Sequence, residues 1–252
     1  MQEQSVRVVR APRWAIAITA IAAAAAVAWV VTSRDGLFFR NPQIATEVAE
    51  VRDVTLPDGS VVTLGGQSQL DYKFTSTERR ATLTAGDAFF SVSKDEKRPF
   101  IVSVDKVQIT AVGTQFEARR RIEGVNVAVA EGSVEVSQTA GEPVRLQRGQ
   151  SLMADQRTQP TIQPVKARDV GAWRQGRLVF DNATLGDLVA DANRYGTTRI
   201  IIKDAPLAKE RFNSSFRVDQ LEGVLESLQV ALPLTVQREA NGDIALSARR
   251  PE

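Results

Sequence analysis

Short runs of alternating apolar and polar residues, each closed by a turn sequence, fill the chain between residues 48 and 152. The runs 51–56 and 60–64 flank Pro57-Asp58-Gly59, a strong turn signal. Similar runs occupy residues 81–83, 88–92, 100–104, 107–112, 125–129 and 133–136. Because no helical period of useful length interrupts them, the pattern predicts one mainly β domain over residues 48–153. A sandwich and a solenoid-like stack of strands both satisfy this pattern.

A different pattern follows a polar, proline-interrupted stretch at 154–172, which predicts a linker. In residues 173–252, apolar residues at helical spacing predict helices over 185–195 and 220–230, and Thr184 with Asp187 resembles a capping box. The predicted strands are residues 177–180, 199–203, 211–217, 234–238 and 244–247. These elements predict a small α+β domain with two helices on one face of a sheet.

The segment from Trp14 to Val31 carries no charge. As a helix it would rise roughly 27 Å, close to the hydrocarbon thickness of a bilayer. Three arginines precede it, so the positive-inside rule predicts a short cytoplasmic segment (1–13), a single transmembrane helix (14–31), and a spacer (32–47) on the far side. A cleavable signal peptide has the same outline, but this apolar run is long and ends in Trp and Val, where a signal peptidase requires small residues.

Composition excludes several kinds of chemistry. The chain has no histidine and no cysteine, which rules out Ser/His/Asp triads, disulfides and thiolate zinc sites. Its 32 basic residues nearly balance 30 acidic ones, without the basic excess typical of nucleic-acid-binding domains. No phosphate-binding loop or metal-ligand spacing is present. We therefore expect no enzyme activity on a small-molecule substrate, no cofactor or metal, and no nucleic-acid partner.

Four carboxylates, Asp58, Asp71, Asp87 and Glu131, raise the alternative of a glycoside hydrolase, which needs a carboxylate pair. Each of them fits a turn or a strand end, and the Pro57-Asp58-Gly59 turn accounts fully for Asp58.

The segments DVTLPDGSVVTLGGQSQLDY, RRATLTAGDAFFSVSKDEKRPFIVSV, VQITAVGTQFEARR and VAVAEGSVEVS together resemble the periplasmic region of FecR-family regulators. The segments WRQGRLVFDNATLGDLVADANRY and FNSSFRVDQLEGVLESL are similar to the C-terminal part of the same proteins. That part contains a domain like the short N-terminal domain of secretins and TonB-dependent receptors. The resemblance implies an inner-membrane protein with most of its chain in the periplasm. It also implies contact with the N-terminal signalling domain of a TonB-dependent outer-membrane transporter loaded with an iron chelate, and control of a cytoplasmic extracytoplasmic-function sigma factor.

One departure from the family concerns the N-terminus. Family members carry a cytoplasmic helical domain that holds the sigma factor, and thirteen residues are too few to form one. The sequence is therefore interpreted either as starting inside a longer frame or as a shortened member whose cytoplasmic output is carried elsewhere.

The dipeptide Gly113-Thr114 has chemistry implied by the resemblance. In some family members the Thr hydroxyl attacks the preceding carbonyl, and this N-to-O acyl shift gives an ester that water opens. The alternative is structural, with Gly113 permitting a bend between strands and Thr114 favouring the strand beside it.

A partner-binding edge is predicted near Phe212, Ser214 and Phe216, where Phe alternates with polar residues. An exposed edge strand can accept a strand from another protein. In the alternative, both phenylalanines face the core.

The resemblance implies a transmembrane signal relay of the iron-uptake type. The competing hypothesis is a periplasmic assembly or scaffold module that docks on a secretin or a TonB-dependent channel without gene control.

Overall fold

The strands of the first part of the molecule form two seven-stranded sheets. In chain order they are β1 (Gln43–Ala45), β2 (Arg52–Thr55), β3 (Val61–Leu64), β4 (Gln69–Phe74), β5 (Arg79–Ala85), β6 (Asp87–Ser91), β7 (Phe100–Val104), β8 (Val107–Ala111), β9 (Gln115–Arg121), β10 (Gly124–Glu131), β11 (Ser133–Gln138), β12 (Val144–Gln147), β13 (Gln150–Ala154) and β14 (Ile162–Pro164). The first sheet has the order β1-β4-β5-β7-β8-β11-β12 and the second β14-β13-β10-β9-β6-β3-β2.

Inward-facing side chains of both sheets share one apolar core. Phe100, Val102 and Val104 of the first sheet are fully buried, and the residues between them are only partly buried, as period-two alternation predicts. Phe90 of the second sheet stacks on Phe116 with ring centroids 5.0 Å apart and lies 6.0 Å from Phe100. The prediction of a mainly β domain is confirmed, and the shared core between two mostly antiparallel sheets is that of a sandwich.

This computed structural model describes residues 43–138, 141–154 and 160–249, and residues 42–252 belong to one compact unit. The predicted cytoplasmic segment, the transmembrane helix and most of the spacer lie outside the described residues. Among the residues that are described, none of the helices combines the length and apolar character needed to cross a bilayer.

The C-terminal part alternates strands with two helices. Its elements are β15 (Arg177–Thr184), α1 (Leu185–Tyr195), β16 (Ile200–Ile202), β17 (Arg211–Arg217), α2 (Leu221–Ala231), β18 (Leu234–Arg238) and β19 (Ile244–Ala248). The predicted capping box is present, since Thr184 Oγ1 accepts from Asp187 N at 3.1 Å while the Asp187 carboxylate accepts from Thr184 N.

The prediction of a single sheet in this part was wrong. The structure has a two-stranded sheet, β15-β17, and a separate three-stranded sheet, β16-β19-β18. Strand β16 pairs in parallel with β19, a long-range contact that local alternation along the sequence does not specify.

The segment 154–172, predicted as a linker, carries structure of its own in its described residues. Strand β14 pairs antiparallel with β13, which extends the second sheet by one strand. A short 3₁₀ turn follows at Ala167–Asp169, and another, Ala172–Gln175, leads into β15. These turns bring the chain from the sandwich to the C-terminal elements, which we call the sandwich lobe (43–165) and the C-terminal lobe (177–249).

Candidate functional site

A buried group of charged residues joins the outer face of the second sheet to helix α1. Alternation along β6 and β9 points Asp87 and Arg119 away from the sandwich core, and the two residues are cross-strand partners. We call this group the junction network; its members are Asp87, Arg119, Arg121, Asp191, Arg194 and Tyr195. It contains the main polar contacts between the lobes.

Arg119 is the centre of the junction network. Its Nη2 lies 3.0 Å from Asp87 Oδ2 and 2.8 Å from Asp191 Oδ2, so one guanidinium bridges a carboxylate of each lobe. Tyr195 of α1 donates its hydroxyl hydrogen to the same Asp87 oxygen at 2.9 Å. Both aspartates are almost completely buried, and buried carboxylates require such partners.

Two further arginines also pair with these aspartates. Arg194 Nη1 lies 3.3 Å from Asp87 Oδ2, and Arg121 Nη1 lies 3.2 Å from Asp191 Oδ1. Burial alone would raise the pKa of Asp87, but Arg119, Arg121 and Arg194 outweigh burial and hold that pKa well below its usual value. Asp87 is therefore a carboxylate at neutral pH and a fixed anchor for both lobes.

Glu117, two residues before Arg119 on β9, fastens the connecting turn. Its Oε2 accepts from Gly171 N at 2.9 Å and from Trp173 Nε1 at 3.1 Å. Burial raises the pKa of Glu117 above its usual value, although Arg119 acts in the opposite direction. The three carboxylates, counting Glu117, match the three arginines of the junction network.

Close backbone packing seals the other side of the junction. A Cβ built on Gly66 would lie 2.3 Å from Arg194 O and 3.1 Å from Ala49 N, and these two atoms are themselves hydrogen-bonded at 2.9 Å. A Cβ on Gly65 would lie 2.3 Å from the Tyr195 hydroxyl oxygen. The sequence indicates only a turn at Gly65-Gly66, but the pair also provides the surface on which the end of α1 rests.

An apolar cluster spans the same junction. Phe89 and Ala128 from the outer face of the second sheet pack with Trp173 and the inner residues of the C-terminal lobe in one buried core. The guanidinium of Arg174 lies 3.5 Å from the centroid of the Phe89 ring. The lobes are thus joined by apolar burial as well as by charge.

The predicted self-cleavage dipeptide lies in the connection between β8 and β9. Thr114 is buried and its carbonyl accepts from Val92 N at 2.9 Å. Its Oγ1 has no hydrogen-bond partner among the described residues. Gly113 is exposed and does not have a positive φ, so it is a close-packing position, with a built Cβ 3.0 Å from Lys94 Cβ. This placement leaves the self-cleavage hypothesis and the structural alternative both open.

Thr114→Ala tests the self-cleavage hypothesis. If the Thr hydroxyl attacks the Gly113 carbonyl, purified wild-type protein will separate into two fragments on a denaturing gel and Thr114→Ala will remain intact. Thr114→Ser retains a hydroxyl and is expected to yield the same fragments. An identical band pattern for Thr114→Ala and wild type would contradict this mechanism.

The predicted partner-binding residues lie on β17. Phe216 is buried, and the ring of Phe180 packs between Phe212 and Phe216 at centroid distances of 5.5 and 5.7 Å. Both phenylalanines therefore contribute to the core of the C-terminal lobe, and Ser214 is half-buried between them. Strand β17 pairs with β15 along one side, and along its other side it pairs with no strand among the described residues. In the predicted partner-binding segment, the phenyl rings therefore pack inside the lobe, whereas one backbone edge is left without a strand partner among the described residues.

The four carboxylates considered for hydrolysis have separate structural roles. Asp58 pairs with the fully buried Arg79 at 2.6 Å, and Asp87 belongs to the junction network. Asp71 lies on the first sheet, and Glu131 is exposed at the end of β10. Within the described ranges, no group of three or more acidic residues is arranged to hold a metal ion.

Sequence reasoning missed the junction network, apart from naming Asp87. Glu117 and Arg119 alternate with the core residues Phe116 and Ala118 along β9, which is also the pattern of an ordinary solvated strand face. This face of β9 is buried rather than solvated because α1 packs against it, and that packing is not visible in the pattern of β9 itself.

Comparisons with known proteins agree with this two-lobe organisation. The family model described as "FecR protein" matches residues 42–135, and the model described as "FecR, C-terminal" matches residues 177–245. No curated protein sequence gives a significant match.

Two solved structures share the fold. Both are crystal structures described as a "putative anti-sigma factor" from Parabacteroides distasonis, and each is 27% identical to this chain. Their TM-scores are 0.75 and 0.74; they cover 82% and 81% of this chain and 98% of their own. Those crystallised chains therefore consist almost entirely of the region matched here. With both family regions present in order on one compact fold, the chain belongs to the FecR family.

Proposed function

We propose that this chain is a regulator of a sigma factor, a binding and signalling module rather than a metabolic enzyme. Membership of the FecR family supports this role, as does the similarity to structures described as anti-sigma factors. In finer detail, the chain receives a signal from the N-terminal signalling domain of a TonB-dependent outer-membrane transporter. It relays that signal toward an extracytoplasmic-function sigma factor in an iron-uptake type of regulation.

The proposed topology places residues 14–31 across the inner membrane, with the N-terminus in the cytoplasm and both lobes in the periplasm. Its support is the uncharged apolar run and the arginines that precede it. A reporter enzyme fused after residue 252 that is active only in the cytosol would overturn this topology.

The buried junction between the lobes is the observation that carries the relay proposal. Charged groups removed from water exchange partners only at a high cost in free energy, so a force applied to one lobe is passed to the other rather than absorbed between them. A force exerted by a partner docked on the C-terminal lobe would in this way be transmitted to the sandwich lobe, and from there to the segment that leads to the proposed membrane helix.

The docking position proposed is the open edge of β17 at Ser214. A strand from the transporter domain would hydrogen-bond to the outward-facing amides and carbonyls of this edge. Successive amides of a strand point to opposite sides, so one of Ser214 and Ser215 directs its N–H to β15 and the other to the open edge.

Proline substitution at these two serines tests the edge. Residues 42–252 are expected to bind the purified signalling domain of a TonB-dependent transporter whose gene neighbours the gene for this chain, at tens of micromolar. One of the variants Ser214→Pro and Ser215→Pro removes the N–H that points to β15, and its melting temperature is expected to fall. The variant whose melting temperature is unchanged is therefore the one that has lost the N–H directed to the open edge. Loss of one such hydrogen bond is expected to weaken binding roughly fivefold to tenfold.

The outcomes separate the competing functions. If the two folded wild-type proteins fail to associate at that concentration, the relay proposal loses its main support. If they associate but deletion of this chain leaves transcription by the neighbouring sigma factor unchanged, the scaffold function is favoured instead.

A further inference from the structure

Strand β17 has a sequence that reads almost the same in both directions, Arg-Phe-Asn-Ser-Ser-Phe-Arg, with Ser214 at its centre. Two copies of this strand can lie antiparallel about a two-fold axis through Ser214. Each Phe212 would then lie opposite Phe216 of the second copy, and each Asn213 opposite Ser215. Aromatic pairs across two strands stabilise an antiparallel sheet, and a two-fold axis lets one surface pair with itself.

Hydrogen bonds at the end of the β15–β17 pair show which backbone groups of β17 face the open edge. Val218 N donates to Gly176 O at 2.9 Å, one step beyond the last pair in the register. Because hydrogen-bonded pairs alternate along an antiparallel ladder, every second residue of β17 bonds to β15 and the residues between direct their N–H and C=O outward. Asn213 and Ser215 are outward residues, so Ser215 rather than Ser214 is the serine of the open edge.

The other two edges in the C-terminal lobe are closed by side chains. On β16, the amide of Asn193 bonds to both backbone groups of Ile200, at 2.7 Å to the N–H and 2.9 Å to the carbonyl. On β18, Val236 N donates to Gln229 Oε1 at 2.9 Å. Such caps prevent an edge strand from pairing with another chain. No side chain of the described residues caps the two outward amides at the centre of β17, which leaves this edge able to pair.

Charges at the ends of β17 permit the pairing. In the two-fold register, Arg211 would lie opposite Arg217 of the second copy, and like charges in that position repel. Each guanidinium already has a carboxylate of its own, because Arg211 pairs with Glu123 at 2.7 Å and Arg217 with Asp219 at 3.4 Å. Two positive and two negative groups would therefore meet at each end, and their charges are complementary.

We propose that the open edge of β17 pairs with β17 of a second copy of this chain, about a two-fold axis at Ser214. Strands β15 and β17 of the two copies would form one antiparallel sheet of four strands. Self-pairing closes the edge to a transporter strand, so the two complexes exclude each other. This exclusion rests on the transporter docking proposed above, whereas the self-pairing itself does not.

A single introduced thiol detects the self-pairing, because the chain has no cysteine. Ser214 would face Ser214 of the second copy as a non-hydrogen-bonded pair, with Cα atoms about 4.5 Å apart and within disulfide range. Ser215 is the more exposed of the two serines. It would lie diagonally from Ser215 of the second copy, at about 7–8 Å, too far for a disulfide. Random collision therefore favours a thiol at 215, and the proposed register favours one at 214.

The measurement is the rate of disulfide dimer formation by residues 42–252 in oxidised glutathione, followed on non-reducing gels. About four backbone hydrogen bonds give a Kd of roughly 1 mM, so the disulfide is needed to trap the dimer. We expect Ser214→Cys to form dimers at least about fivefold faster than Ser215→Cys. Adding Ser215→Pro to Ser214→Cys removes an outward N–H and should lower the rate to that of Ser215→Cys. Melting temperatures of the reduced variants verify that each is folded.

A rate for Ser215→Cys equal to or above that of Ser214→Cys would overturn the self-pairing, and so would an undiminished rate after Ser215→Pro is added. The signalling domain of the transporter, once bound, is expected to slow dimer formation by Ser214→Cys. A bound domain that leaves this rate unchanged would overturn the exclusion. If the domain does not bind at all, the relay proposal fails, while the two cysteine variants still decide the self-pairing.

Discussion

Replacement of Arg119 with methionine is expected to lower the free energy of unfolding of residues 42–252 by about 3–5 kcal/mol. The guanidinium of Arg119 bridges Asp87 and Asp191, at 3.0 and 2.8 Å, where both carboxylates are almost fully buried. Methionine fills a similar volume but leaves each carboxylate without its shortest ion pair. The cost is therefore mainly that of uncompensated buried charge rather than of a cavity.

Arg120→Met is the matched control, because Arg120 is the next residue on the same strand. It pairs with Asp105 at 2.9 Å, and both of these side chains are more than a third exposed. Exposed pairs contribute about 0–1 kcal/mol, so the control should remain close to wild type. Denaturant unfolding followed by Trp173 fluorescence measures both variants, since Trp173 is the only tryptophan in residues 42–252. Equal losses for Arg119→Met and Arg120→Met would contradict the central role of Arg119.

The effect of Arg119→Met should depend on pH in a defined direction. The arginines hold the pKa of Asp87 below its usual value of 3.8, so the stability from this carboxylate is fully present above pH 3.8. That stability is lost as the pH falls through the lower pKa of the folded state. The difference between wild type and Arg119→Met is therefore expected to shrink in acid and to be constant near neutrality.

Local sequence patterns predicted the helices and strands whose bounds depend mainly on their own residues. Helix α1 covers the predicted 185–195, and β17 covers the predicted 211–217. The predicted hairpin 234–238 and 244–247 corresponds to β18 and β19. In these elements the local periodicity and the neighbouring cap or turn sequences favour the same structure as the tertiary packing does.

Packing between distant parts of the chain was not predictable from those patterns. Charge on Arg119 and on Asp191 indicates solvent exposure when each residue is considered alone. The two residues meet across 72 positions of sequence, and each supplies the partner that permits the other to be buried. The division of the C-terminal strands into two sheets has the same origin, because β16 pairs with β19 although β17, α2 and β18 lie between them in the chain.

Gly66→Ala is expected to separate the lobes at their closest backbone contact. The added methyl carbon would lie 2.3 Å from Arg194 O and 3.1 Å from Ala49 N, and both are backbone atoms, joined to each other by a hydrogen bond between the lobes. Overpacking of this kind costs about 1–3 kcal/mol and sometimes more. Because Tyr195 and Trp173 pack against the neighbouring Gly65, we expect Trp173 to become exposed and its fluorescence emission to shift to longer wavelength.

Gly223→Ala provides the control, since among the described residues, apart from its chain neighbours and the nearby backbone of its own helix, nothing lies within 4 Å of a Cβ built on this residue of α2. Alanine is favoured over glycine in a helix by about 1 kcal/mol, so this variant should be as stable as wild type or more so, with unchanged emission. If Gly66→Ala matches Gly223→Ala in both stability and emission, the lobes do not meet at Gly66 as described. If Gly66→Ala instead unfolds in two separate steps while wild type unfolds in one, each lobe has a core of its own and the junction couples them, as a relay of signal from one lobe to the other requires.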